Sequence, residues 1–120
     1  HSNAVKGNKN DVFGNHNRAS GNLNDIDGNR NSVHGFHNDV DGNRNRVYGI
    51  ENDVDGNANQ VQGYRNDISG NKNDVHGRLN YSDGDRNDIS GDRNGVWGDD
   101  NSVNGRSNLI KGNANGVNGN

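Results

Sequence analysis

One apolar residue returns every seven positions along this chain, inside a line that reads x-x-N-x-V-x-G from end to end. Val or Ile holds the slot at Val5, Val12, Ile26, Val33, Val40, Val47, Val54, Val61, Ile68, Val75, Ile89, Val96, Val103, Ile110 and Val117, while Ala19 and Ser82 are the two weak links. An Asn stands two residues before each of these (Asn3 through Asn115) and a Gly two residues after (Gly7 through Gly119), seventeen of each. Such strict repetition marks one small structural unit copied along an axis.

A seven-residue period first suggests a coiled coil, but a heptad seam needs two apolar positions and this one has a single one. Each helical Gly would also cost about 1 kcal/mol. Collagen needs Gly at every third residue, and the calcium-binding roll repeats every nine. Strand alternation fits. In N-x-V-x, Asn and Val point to one side and the x residues to the other. Gly and the residue after it, often Asn, are expected to form the corner, because both tolerate positive φ. One heptad is then a strand and a turn, and two heptads close a coil.

The variable slots test that pairing. Asp11, Asp25, Asp39, Asp53 and Asp67 recur at steps of 14, as do Asp27, Asp41 and Asp55, while alternate heptads carry Arg18, Ser32, Arg46 and Gln60. One corner repeats Phe36, Ile50 and Tyr64; the other repeats Asn15, Asn29, Asn43, Asn57 and Asn71. The sequence therefore predicts an all-β solenoid with two heptads in each 14-residue coil and about eight and a half coils, residues 1–120 forming a single repeat domain. Strands stacked about 4.8 Å apart make a rod about 40 Å long. Its interior is a scaffold of stacked amides (Asn24, Asn38, Asn52, Asn66) and branched aliphatics (Val40, Val54, Ile68), each amide serving the one above and below.

Composition alters this picture little. Hydrophobic residues are only 24% of the chain, which by itself favours disorder. The net charge of −3 and the strict apolar phase oppose that. There is no Cys to form a disulfide or thiolate site. No apolar run approaches a membrane span, and no charged-then-apolar leader precedes the first repeat. The sequon at Asn80 shares its Asn with the ladder, which disfavours glycosylation of the folded form.

The repeat x-x-N-x-V-x-G, from HSNAVKG to NANGVNG, resembles that of the grass ice-recrystallisation-inhibition (antifreeze) proteins. The resemblance implies a left-handed β-roll with Asn and Val inside and one flat ice-binding face. It is carried by the scaffold Asn, Val or Ile and Gly; the Thr that is abundant on the family's ice faces is absent here. The chain is also more loosely similar to the repetitive heads of trimeric bacterial adhesins.

Function then belongs to the outward slots. One sheet is expected to carry a carboxylate grid of Asp25, Asp27, Asp39, Asp41, Asp53 and Asp55. Neighbours about 4.8 Å apart repel by roughly 1 kcal/mol even in water, which is met either by Ca²⁺ bridging adjacent coils or by a solvated face that blocks aggregation. The opposite sheet carries Ser32, His34, Arg46, Tyr48, Gln60, Gln62, Asp74 and His76, a mixed hydrogen-bonding surface suited to ordered water or ice. A basic column of His16, Arg30, Arg44, Lys72 and Arg86 neutralises the chain's own acids or a neighbour's; it is too sparse for nucleic acid. Phe36, Ile50 and Tyr64 either pack along their own corner or meet a second rod, with Phe13 and Trp97 on the acidic sheet. The five histidines share no common slot and no cleft is expected, which argues against catalysis. Beside a secreted ice-binding roll stand two alternatives: an extracellular structural or adhesive repeat whose open ends stack into fibres, and an engineered scaffold.

Overall fold

A computed structural model describes residues 2–120 as a helix-free stack of strands running from Ala4–Lys6 to Gly116–Gly119. Successive strands alternate between two parallel sheets, one of nine strands and one of eight among the described residues. The register has no slip: Asp25 lies against Asp39 and Asp39 against Asp53 on the smaller sheet, Ser32 against Arg46 and Arg46 against Gln60 on the larger. One coil is therefore fourteen residues, and the molecule measures 42 × 20 × 13 Å.

Most strands begin one residue later and end two residues later than the N-x-V-x stretch the sequence predicts. They begin after the Asn, and most pass through the Gly and end on the residue beyond it, as in Asp39–Asn43 and Arg46–Ile50, whereas Ala4–Lys6, Tyr81–Asp83, Gly95–Trp97 and Leu109–Lys111 stop short of the Gly. The repeat glycines do take positive φ, between 94° and 146°, as expected of them. The left-handed bend falls two residues past the Gly, where Arg44, Glu51 and Ala58 have φ of 62°, 55° and 60°. The residue directly after Gly is thus a strand residue. The positive φ expected of Gly is present, but the one expected of its successor falls one residue further on.

The reason lies in what the glycine faces. A Cβ on Gly49 would stand 1.8 Å from the Gly63 carbonyl oxygen in the next coil. No side chain fits there whatever its φ, so coil-to-coil spacing itself selects Gly. The bend slot has open space but an unfavourable backbone; left-handed φ costs an ordinary L-residue roughly 1–2 kcal/mol.

Inward slots behave as the alternation predicts. Val40, Val47, Val54, Val61 and Ile68 are fully buried, and so are the ladder residues Asn24, Asn38, Asn52 and Asn66. The Asn52 backbone N–H and Nδ2 both donate to Asn38 Oδ1 (3.1 and 2.9 Å), and Nδ2 also donates to the Gly63 carbonyl at 3.2 Å. On the other side of the interior, Asn45 Nδ2 reaches the Gly56 carbonyl at 2.8 Å and the Asp41 carbonyl at 3.4 Å. The ladder is therefore not amide to amide alone; it clamps backbone carbonyls as well. No buried side-chain nitrogen or oxygen lacks a partner among the described residues. Buried Ser82, a polar stand-in for Val, accepts from Asn87 Nδ2 at 3.3 Å.

Burial fades toward the first strands and the last. Val5 is 49% exposed, and Val12 and Val117 are half-buried, because their coils lie near the ends of the stack. Expecting every Val and Ile of the slot to be buried overcounts the core by these three.

Two outcomes are expected from thermal and urea denaturation. Asn52→Leu orphans the Asn66 N–H and the Gly63 carbonyl, each about 1–3 kcal/mol, whereas Ala58→Asn relaxes a left-handed Ala and stabilises by about 1 kcal/mol. Gly49→Ala should be more damaging than either, since its Cβ meets backbone that has nowhere to move.

Candidate functional site

The coil turns its variable residues into straight columns, two on each sheet face and two along each margin. On the nine-stranded sheet, Ser32, Arg46, Gln60 and Asp74 form one column and His34, Tyr48, Gln62 and His76 the other, each residue in register with the next. All eight face outward on one surface. They also engage one another. Arg46 Nη1 lies 3.5 Å from Gln60 Oε1, Gln60 Nε2 lies 3.4 Å from both Asp74 carboxylate oxygens, and His76 Nε2 lies 2.8 Å from Asp74 Oδ1. The His34 and Tyr48 rings stand 6.1 Å apart. Long side chains here run along the face instead of standing off it.

The eight-stranded sheet brings the six grid aspartates together as two adjacent columns, Asp25, Asp39 and Asp53 beside Asp27, Asp41 and Asp55. Partial burial, followed by repulsion from Asp53 and Asp25, raises the pKa of Asp39. Burial and then the surrounding aspartates raise Asp41 and Asp53 as well. Burial and Asp83 do the same for Asp67. Among the described residues, no three carboxylate or imidazole groups converge on a point that could hold a metal ion. The grid is a pair of rows, not a cage.

Two features of the surface were not anticipated. The Asn corner is a second, outer ladder: Asn43 N–H and Nδ2 both donate to Asn57 Oδ1 at 3.0 Å. It continues through carboxylates, with Asn71 N–H donating to Asp85 Oδ1 at 2.7 Å and Asp85 N–H to Asp99 Oδ1 at 2.8 Å. The step of 14 in these Asn residues is the sequence signal of this ladder, and it reports stacking, not a bend preference. The second feature is an aromatic patch beyond the acidic columns. Trp97 folds across Gly95, where a Cβ would meet ring carbon Cζ3 at 2.7 Å, and its ring stands 5.0 Å from that of Tyr81.

At the opposite margin Phe36, Ile50 and Tyr64 do stack in register, with Phe36 and Ile50 still well exposed. Ion pairs there tie coil to coil: Arg65 with Glu51, and Arg78 and Arg106 with the shared Asp92 at 3.0 and 3.4 Å.

A filled interior with open grooves along its margins defines a β-roll that presents repetitive faces. In matching residues 1–84, the model of the grass antifreeze β-roll family covers well over half of the chain, which belongs to that family. Antifreeze rolls are an ice-binding, non-enzyme class. No curated protein matches the chain.

The titrations have a definite sign. A carboxyl whose folded pKa is raised opposes folding once ionised, so stability from Asp39, Asp41, Asp53 and Asp67 grows as pH falls toward the ordinary value of 3.8. Asp92 and Asp100, held low by hydrogen bonds from Arg78 and Arg86, stabilise above 3.8 and lose that contribution below it. The melting temperature is therefore expected to be highest on the acid side of neutrality, near the ordinary carboxylate value. Asp39→Asn with Asp53→Asn should raise it at pH 7 and flatten the rise on acidification, as read by circular dichroism melts.

Proposed function

We propose that this chain is a secreted ice-binding protein that restrains ice recrystallisation through the outward face of its nine-stranded sheet. The observation behind this reading is the unbroken register of that sheet, which stacks hydrogen-bonding side chains in two columns at a constant pitch of about 4.8 Å. Rows of such groups order water by bridging hydrogen bonds. Ser32, His34, Tyr48, Gln60 and Gln62 supply donors and acceptors without a net field, and Arg46 is drawn along the face toward Gln60. The acidic sheet is the poorer surface for ice, since carboxylates hold their own hydration shells and repel one another across the columns.

Family membership supports ice as the target, and the chemistry of the two faces supports the choice between them. The test is recrystallisation in thin frozen films. Gln60→Lys with Gln62→Lys should raise the concentration needed for inhibition about tenfold, corresponding to about 1.4 kcal/mol of surface affinity. Asp41→Lys with Asp55→Lys on the other sheet should leave it nearly unchanged. An equal loss from the second pair, with both variants folded, would move the site to the acidic sheet.

A further inference from the structure

Arg30, Arg44 and Lys72 share one margin of the roll, at bend positions with φ of 63°, 62° and 60°. With the outer Asn ladder they line a groove of about 1000 Å³ that runs along the rod. None of the three makes an ion pair among the described residues, whereas Arg86 farther along the same margin is paired with Asp100 at 2.6 Å. Asp85 lines the far end of the groove beside Lys72, but none of the three cations is paired with it or with any other acid among the described residues.

The sheet bordering this margin has the opposite problem. Its aspartates stand in two adjacent columns that repel one another, and none of Asp39, Asp41 and Asp53 makes an ion pair among the described residues. A column of cations and two columns of anions therefore lie side by side on one molecule with no ion pair between them among the described residues.

We propose that the acidic sheet and its basic margin form the contact between two copies of this chain, each margin lying across the other's aspartate columns. Because both charge sets ride on the same coil, they advance by the same step. Once one Arg meets one Asp, the rest of the column is in register too. The margin adjoins the sheet, so two copies laid face to face and offset sideways present each basic edge to the other's acids, a self-complementary twofold arrangement. The 42 × 20 Å outline of the molecule bounds the contact at about the 800 Å² per partner of a standard interface. A polyanion would satisfy the margin alone and a cation the sheet alone; a second copy satisfies both. This arrangement also leaves the nine-stranded face uncovered.

Sedimentation velocity of the whole chain in chelator-containing buffer tests the proposal. A dimer is expected at low salt and a monomer at about 1 M salt, where the screening length falls to about 3 Å. Reversal of the margin (Arg30→Glu, Arg44→Glu, Lys72→Glu) and reversal of the grid (Asp27→Lys, Asp41→Lys, Asp55→Lys) should each give monomers. Mixed in equal amounts, the two should associate again, since each then carries the charges the other needs. Circular dichroism checks folding, and neutral Arg30→Gln with Arg44→Gln serves if a reversal fails to fold. A monomer at low salt, a dimer indifferent to both reversals, or association that appears only with added Ca²⁺ would each overturn it.

Discussion

Nearly every corner of the roll turns on the same contact, an Asn side-chain amide landing on a glycine carbonyl of the next coil. Asn38 reaches Gly49, Asn52 reaches Gly63 and Asn66 reaches Gly77, at 3.0 to 3.2 Å. The same carbonyls stand where a Cβ of the preceding glycine would be, so close stacking and amide capture are one constraint. This accounts for the two invariant letters of the repeat together. Asn satisfies the carbonyl that stacking exposes, and Gly is the residue that lets stacking come so close. Buried Val and Ile then fill what remains between the sheets, one side chain per strand.

That dependence explains how much of the molecule could be read beforehand. Periodicity placed every column, because a step of 14 in Asp25, Asp39 and Asp53 can arise in one way once strands are assumed. It did not place the bend. A Gly followed by Asn is the usual mark of a turn, yet here the Gly serves a close approach and the Asn serves an outer ladder. Side-chain reach was equally illegible: the sharing of Asp92 by Arg78 and Arg106 depends on rotamers that no spacing specifies. Nor could periodicity choose a face. Both sheets repeat with equal strictness, and only the chemistry of the outward residues distinguishes them.

The surfaces divide cleanly because the scaffold takes nothing from them. Slots four and six of the heptad face solvent on both sheets and carry carboxylates on one and a neutralised polar mixture on the other. The margins differ just as sharply: one carries Phe36 and Ile50, the other an amide ladder flanked by cations. A roll built in this way can hold distinct chemistries on adjoining strips without any compromise in its interior.

Parity of the winding limits how such a chain can lengthen or shorten. Gaining or losing a full coil leaves every downstream side chain above its former neighbour. Gaining one heptad of seven residues keeps the Asn, Val and Gly slots filled but hands each later strand to the other sheet. Beyond that point the aspartate rows would continue on the opposite side of the rod. Such an insertion would be folded, almost invisible to stability and ruinous to any face, so duplications that preserve a surface must come in whole coils.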